Sequence, residues 1–148
     1  MNLRKLLSKD NIFLDLKADT KEGIIEEIID RLVASGKIKD RNAALKAILE
    51  RERKMTTGME NGIALPHGKS DSVDQLITAI AVKKEGVDFD SIDKKPAKIF
   101  VLTLSPLNRT GPHIQFLAET SKLLRDAKAR EKVLSAKTPK EVIRLFNE

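Results

Sequence analysis

Two histidines and one arginine stand out as residues able to do chemistry together. His67 lies in Asn61-Gly62-Ile63-Ala64-Leu65-Pro66-His67-Gly68-Lys69, and His113 lies in Gly111-Pro112-His113. They are the only two histidines in the chain. Each follows a proline and has a glycine close by. Arg51 sits in Glu50-Arg51-Glu52-Arg53-Lys54, at the end of an otherwise apolar helical stripe formed by Ala44, Ala47 and Ile48. An imidazole near its reference pKa of about 6.5 is largely neutral at cell pH, as a nucleophile must be. A guanidinium can grip a phosphate with two donors. The first turn of a helix, where His113 is expected, offers free N–H groups and a favourable dipole for an anion. Together these groups describe a site for a phosphoryl group. In it a neutral imidazole nitrogen would attack phosphorus to form a phosphohistidine, and positioning and charge neutralisation would do most of the catalysis.

Taken singly, the same residues have plainer readings. His67 can be a loop histidine, His113 a helix-cap histidine with a structural hydrogen bond, and Arg51 a side chain that snorkels to water. Two histidines and a carboxylate can also hold a metal. There is, however, no histidine pair three or four apart and no H-E-x-x-H. No G-x-S-x-G marks a serine hydrolase, and no G-x-x-x-x-G-K-[ST] marks a P-loop.

The elements that must position these groups follow from periodicity. Residues 2–8 read as a short helix and Asn11 to Leu16 as a strand. Ile24, Ile25, Ile28, Ile29, Leu32 and Val33 form one stripe of an amphipathic helix, capped by Asp19 or Thr20 and stopped by Gly36. Asp40 caps a second helix that carries Arg51. Ile63 to Leu65 read as a buried strand that Pro66 ends, leaving His67 at its exit. Gly68, with no Cβ, is expected to let a ligand approach the ring. Leu76 to Val82 is a strand, Lys83 to Gly86 a turn, and Val87 to Phe89 a short strand or loop. Lys98 to Leu104 is nearly all apolar and is expected at the centre of a sheet. Pro112 reads as the first residue of the next helix. Residues 129–135 form another, and Thr138-Pro139-Lys140-Glu141 is a capping box for the last. Strands and helices interleave, so the fold class is α/β: one domain over 1–148, with a central mixed β-sheet and helices on both faces. The short link from Val82 to Val87 is read as joining an antiparallel pair.

Composition narrows the function classes. At 148 residues with 41% hydrophobics the chain can bury a real core. The absence of cysteine removes disulfides, thiolate metal sites and a cysteine nucleophile. No apolar run reaches 18 residues, and the first residues are too short for a signal peptide, so a cytoplasmic protein without membrane insertion is expected. A net charge of +6 allows an acidic partner. Nucleic acid is not expected, because cations alternate with acids and only 3% of residues are aromatic.

The residues Leu49-Glu50-Arg51-Glu52, Thr57-Gly58, Asn61 to Lys69, and His113-Ile114-Gln115-Phe116-Leu117-Ala118 running on to Lys122-Leu123-Leu124 carry a resemblance. Arg51 stands sixteen residues before His67, and His113 forty-six after it. In this the sequence resembles the mannitol/fructose-class enzyme IIA of the bacterial phosphoenolpyruvate-dependent sugar phosphotransferase system. The nitrogen-regulatory enzyme IIA shares the pattern. The resemblance covers nearly the whole chain. It implies that His67 accepts a phosphoryl group from the phosphocarrier HPr, on Nε2, and passes it to a cysteine of an enzyme IIB for sugar uptake. It implies that Arg51 and His113 stabilise that group, and that no cofactor or metal takes part. HPr is expected to dock around His67 through largely apolar contacts. Some members carry glutamate where this chain has Asn61, so no acidic role is carried over there; the departure leans towards fructose-type and regulatory members. With no cysteine and no IIB or IIC segment in these residues, transfer is expected in trans. The alternative is a regulatory protein of the same fold that signals through phosphorylation-dependent binding.

Overall fold

The computed structural model describes residues 3–146. After a 3-10 turn, Leu3–Leu6, the elements are β1 (Ile12–Phe13), α1 (Lys21–Ala34), α2 (Arg41–Lys54), β2 (Ile63–Ala64), β3 (His67–Lys69), β4 (Ile77–Val87), β5 (Ala97–Ser105), α3 (Thr110–Leu124), α4 (Ala127–Ser135) and α5 (Pro139–Leu145). The first helix expected from the sequence is thus a single turn, and residue 2 of it lies outside the described residues.

Local chemistry sets the helix ends. Thr20 Oγ1 accepts from the Gly23 N–H at 3.0 Å, and Asp40 Oδ1 from the Ala43 N–H at 3.0 Å. Gly36 takes φ +80°, a conformation that costs glycine little, and its N–H closes on Val33 O. The Glu141 carboxylate accepts from the Thr138 N–H at 3.3 Å, the return bond of a capping box.

The strands form one mixed five-stranded sheet, β1-β4-β5 with β2 and β3 both on the far edge of β5. The β4–β5 pair is antiparallel and the other pairs are parallel. The stretch 83–86 differs from the sequence reading. Lys83 to Gly86 is not a turn but part of β4, which runs on to Val87 through an irregularity where Gly86 has φ +82°. The antiparallel connection is made later, by residues 88–96. Likewise β1 is only two residues long, although Leu16 N–H still bonds Val82 O at 3.2 Å. Just before β1, Asn11 O accepts from Ile80 N–H at 3.0 Å, and its buried side-chain amide donates to Leu6 O and Thr78 O.

Alternation along β4 and β5 splits the core in two. Ala79, Ala81, Phe100, Leu102 and Leu104 pack under α1 and α2 with Ile24, Ile28, Leu32 and Ile48. Ile80, Val82, Ile99 and Val101 pack on the other face with Phe116, Leu124, Val133 and Val142 of α3, α4 and α5. Each of the fully buried Ile, Leu, Val and Phe side chains contributes on the order of 1.5–3 kcal/mol. The result is helices on both faces of a sheet whose β2–β3 edge both layers approach.

Candidate functional site

His67 lies on that edge. The chain arrives through a tight reversal in which Gly58 pairs antiparallel with Ala64 and the Met59 N–H donates to Ile63 O at 2.8 Å. Asn61 and Gly62 turn the corner with φ +63° and +79°. Asparagine tolerates this left-handed region better than most residues, so Asn61 has a backbone reason for its identity. β2 and β3 then keep one register on β5: Ile63 faces Ile99, Ala64 faces Phe100, and His67 faces Thr103. Pro66 lies just past the end of β2, as the sequence reading has it, but it does not end the pairing along β5, which β3 resumes, so His67 is not at a strand exit. Pro66 removes one N–H from an edge strand, while its carbonyl still accepts from Thr103 N–H at 3.1 Å. His67 opens the next stretch of the same edge.

Gly68 also has a different task from the expected one. A Cβ there would meet the Ala47 carbonyl carbon and oxygen at 3.0 Å. The missing side chain lets the backbone of α2 press on β3; it does not clear space for a ligand. Arg51, one turn beyond Ala47, is thereby brought beside His67. The two histidines meet from the other side: their ring centroids are 5.3 Å apart at 65°. α3 begins at Thr110, two residues earlier than the sequence reading, so Pro112 is its third residue and His113 its fourth. His113 still belongs to the first turn, and that turn carries no acidic residue and no side-chain cap. Ala47, Arg51, Lys54, His67, Lys69 and His113 line a groove of about 530 Å³, with Ile114 and Leu117 on its α3 wall.

Hydrogen bonds define the state of each ring. His67 Nδ1 lies 2.7 Å from Leu65 O. A carbonyl can only accept, so Nδ1 carries the proton and Nε2 holds a lone pair. Among the described residues Nε2 has no partner. Burial pushes the His67 pKa below its ordinary value, against the Leu65 hydrogen bond, and the Arg51 charge lowers it further. His113 is buried, with its Nδ1 3.4 Å from Thr103 Oγ1. Burial, with the fields of His67 and Lys69, pushes it down to about 4. Both rings are therefore neutral at pH 7. Arg51 is half-buried at the groove, and its Nη1 donates to Met55 O at 2.8 Å, closing the end of α2.

Glu52 escaped the sequence reading. It is buried and binds the Lys21 ammonium at 2.9 Å, the Thr57 N–H at 2.7 Å and the Thr57 hydroxyl. It ties the loop before β2 to the end of α2. The available signal was its place four residues after Ile48, which is itself four after Ala44. Thr103 and Lys69 escaped as well. Both flank His67 only through the β3–β5 register and strand alternation. Among the described residues no group of three or more His, Asp or Glu is placed to hold a metal, and no helix is long and apolar enough to cross a membrane.

Residues 5–148 match the family described as phosphoenolpyruvate-dependent sugar phosphotransferase system, EIIA 2. The fructose-specific EIIA component of Haloferax volcanii is 43% identical over 131 residues, covering 88% of this chain and 85% of that protein. The crystal structure of nitrogen regulatory protein IIA-Ntr from Neisseria meningitidis has a TM-score of 0.85 and 26% identity, covering 97% of this chain and 98% of that one. The IIAMtl enzyme in complex with phosphorylated IIBMtl from Escherichia coli has a TM-score of 0.81 and 27% identity, covering 95% and 96% of the two chains.

Proposed function

This chain belongs to the EIIA 2 family of the phosphoenolpyruvate-dependent sugar phosphotransferase system, and from that premise we propose that His67 carries the phosphoryl group between HPr and a cysteine of an enzyme IIB. The observation that carries the reading is the His67 ring. Its Nδ1–H is engaged by Leu65 O and its Nε2 lone pair is left free. In the forward step that lone pair forms a bond to phosphorus as the P–N bond of the donor phosphohistidine breaks. The bonding electrons return to the donor's ring nitrogen. The His67 ring gains positive character, which the carbonyl accepting from Nδ1–H stabilises. No proton has to leave His67. In the second step a thiolate sulfur attacks phosphorus, and the P–N electrons return to Nε2.

Arg51 and His113 are the residues set to hold the phosphoryl oxygens in passage, one by charge and one by a neutral hydrogen bond. The complex formed by the Escherichia coli neighbour supports an enzyme IIB as acceptor. The exposed Ile114 on the rim supports docking by apolar contact. A cytoplasmic setting for sugar uptake goes with this reading.

The test is incubation with phosphoenolpyruvate, enzyme I and HPr, followed by mass spectrometry of the phosphopeptide. The wild type is expected to carry an acid-labile, base-stable phosphate on His67, and His67→Ala none. Labelled phosphate still entering that variant would sink the assignment. A second reading, a regulator that binds partners according to phosphorylation, draws on the likeness to the Neisseria protein. Passage of the phosphoryl group onward to a purified IIB cysteine separates the two.

A further inference from the structure

Thr103 has the most constrained hydroxyl near the groove. It is fully buried in β5, aligned with His67 on β3 and with Thr78 on β4. Its backbone N–H holds Pro66 O, next to His67. Among the described residues its Oγ1 has one partner, Nδ1 of His113 at 3.4 Å. Counting donors and acceptors then decides the direction of that bond. If Nδ1 carried the proton and gave it to Oγ1, the hydroxyl proton would have no acceptor in a buried place. Such an unmet donor is unfavourable, although the buried hydroxyls of Ser91, Ser105 and Thr120 also have no partner among the described residues. If the hydroxyl donates to Nδ1, both members of this pair are satisfied and only Nε2, on the ring that lines the groove, is left without a protein partner. Nε2 of His113 then bears the proton.

Resting on the phosphohistidine reading above, we propose that Thr103 is a positioning residue for phosphoryl transfer: its hydroxyl donates to His113 Nδ1 and holds His113 as the Nε2–H tautomer, opposite to that of His67. The opposition has a use. His67 needs a lone pair at Nε2 to attack phosphorus, and Leu65 O secures it by taking Nδ1–H. His113 must meet the anionic oxygens of the same group, and a lone pair there would repel them. An Nε2–H donates instead. The Thr103 contact is long for a hydrogen bond in the free protein. Such contacts shorten when the charge they serve arrives. As His113 Nε2–H donates to an anionic phosphoryl oxygen, the ring gains electron density and accepts more strongly at Nδ1 from the Thr103 hydroxyl, so the two hydrogen bonds reinforce each other.

The test uses the full chain, nitrogen-15 labelled on its histidines, as wild type, Thr103→Val and Thr103→Ser. Valine keeps the shape and removes the hydroxyl; serine keeps the hydroxyl. At neutral pH the wild type and Thr103→Ser are expected to show His113 protonated at Nε2 and His67 at Nδ1. Thr103→Val should shift His113 towards the Nδ1–H form. Phosphoryl uptake from phospho-HPr should slow by roughly 10–100-fold in Thr103→Val, in kcat and not in the KM for HPr, with Thr103→Ser within about threefold of wild type. A wild-type His113 protonated at Nδ1 overturns the proposal, and so does a Thr103→Val protein at wild-type rate. Should valine prevent folding, the wild-type tautomer and the serine variant still decide it. A wild type that takes no phosphoryl group overturns the functional reading and with it the role in transfer, whereas the tautomer is read from the unphosphorylated protein and stands or falls separately.

Discussion

The wall that α2 gives to the groove is charged, and the wall that α3 gives to it is neutral. α2 ends at the groove. Its last turn carries Arg51, Arg53 and Lys54, which oppose the negative end of the helix, and Arg51 closes on Met55 O. α3 begins at the groove, so its positive end already favours an anion without a side-chain charge. What it adds is His113, 4% exposed and neutral, beside Ile114 and Leu117. The difference follows desolvation. A guanidinium is kept where water still reaches it, since a buried unpaired charge is costly. An imidazole can be buried, because it sheds its proton instead. The α2 wall is also braced by the Glu52–Lys21–Thr57 cluster, while the first turn of α3 has no side-chain cap. A fixed charge faces a neutral hydrogen-bonder across one nucleophile.

The largest effect that would sharpen this contrast is on transfer. Arg51→Ala and His113→Ala should each slow phosphorylation of His67 by about 2–4 kcal/mol of lost stabilisation. Their salt dependence should differ. Raising ionic strength should shrink the difference between Arg51→Ala and wild type, because it screens a partly exposed charge. It should leave the cost of His113→Ala in place. Equal salt dependence in rapid-quench transfer assays would erase the distinction between the walls, and wild-type rates in both would make them structural.

Acid stability probes the neutral wall next. His113 titrates at about 4 in the folded chain against about 6.5 unfolded, so between those values the unfolded chain binds more protons. The stabilisation from its neutrality is whole above pH 6.5. It is lost progressively as the pH falls, and levels off below about 4. His67 shifts in the same direction. Urea unfolding should therefore show the wild type losing about 2 kcal/mol more than His113→Gln between pH 7.5 and 5. Parallel losses in the two proteins would mean that His113 is not held neutral.

The smallest effect tests the brace behind the charged wall. Glu52→Gln leaves Lys21 with Asp90 alone, at 3.2 Å on the surface. The cost should be about 1–2 kcal/mol in urea unfolding. A part-loss of transfer should follow as Arg51 loosens. An unchanged midpoint would show that the end of α2 is held by packing alone.

What could be read along the chain was whatever neighbours in sequence decide. Thr20, Asp40 and Gly36 cap their helices as their chemistry requires, and the apolar run of Lys98 to Leu104 is the central strand β5. The pairing of His67 with Arg51 and His113 rested on residue type, spacing and resemblance, and the fold does bring the three to one groove. Lys83 to Gly86 reads as a turn because charges and a glycine suit one. They are a strand that has left the covered part of the sheet, where Lys84 and Glu85 are exposed.

Gly68 and Thr103 mark the limit most clearly. A glycine after a histidine looks like room for a ligand until α2 is seen to lie on it, and Ala47 is twenty-one residues away along the chain. Thr103 is one more polar residue in an apolar run until the strand register sets it between the two histidines. By itself the sequence determined the α/β class, the helix ends and which side chains were available for phosphoryl chemistry, because periodicity and capping are local. Only the tertiary structure decided how far His67 is buried, how α2 reaches it and what holds His113. Register and helix contact join segments far apart in the chain, and burial sets their protonation only once those segments have met.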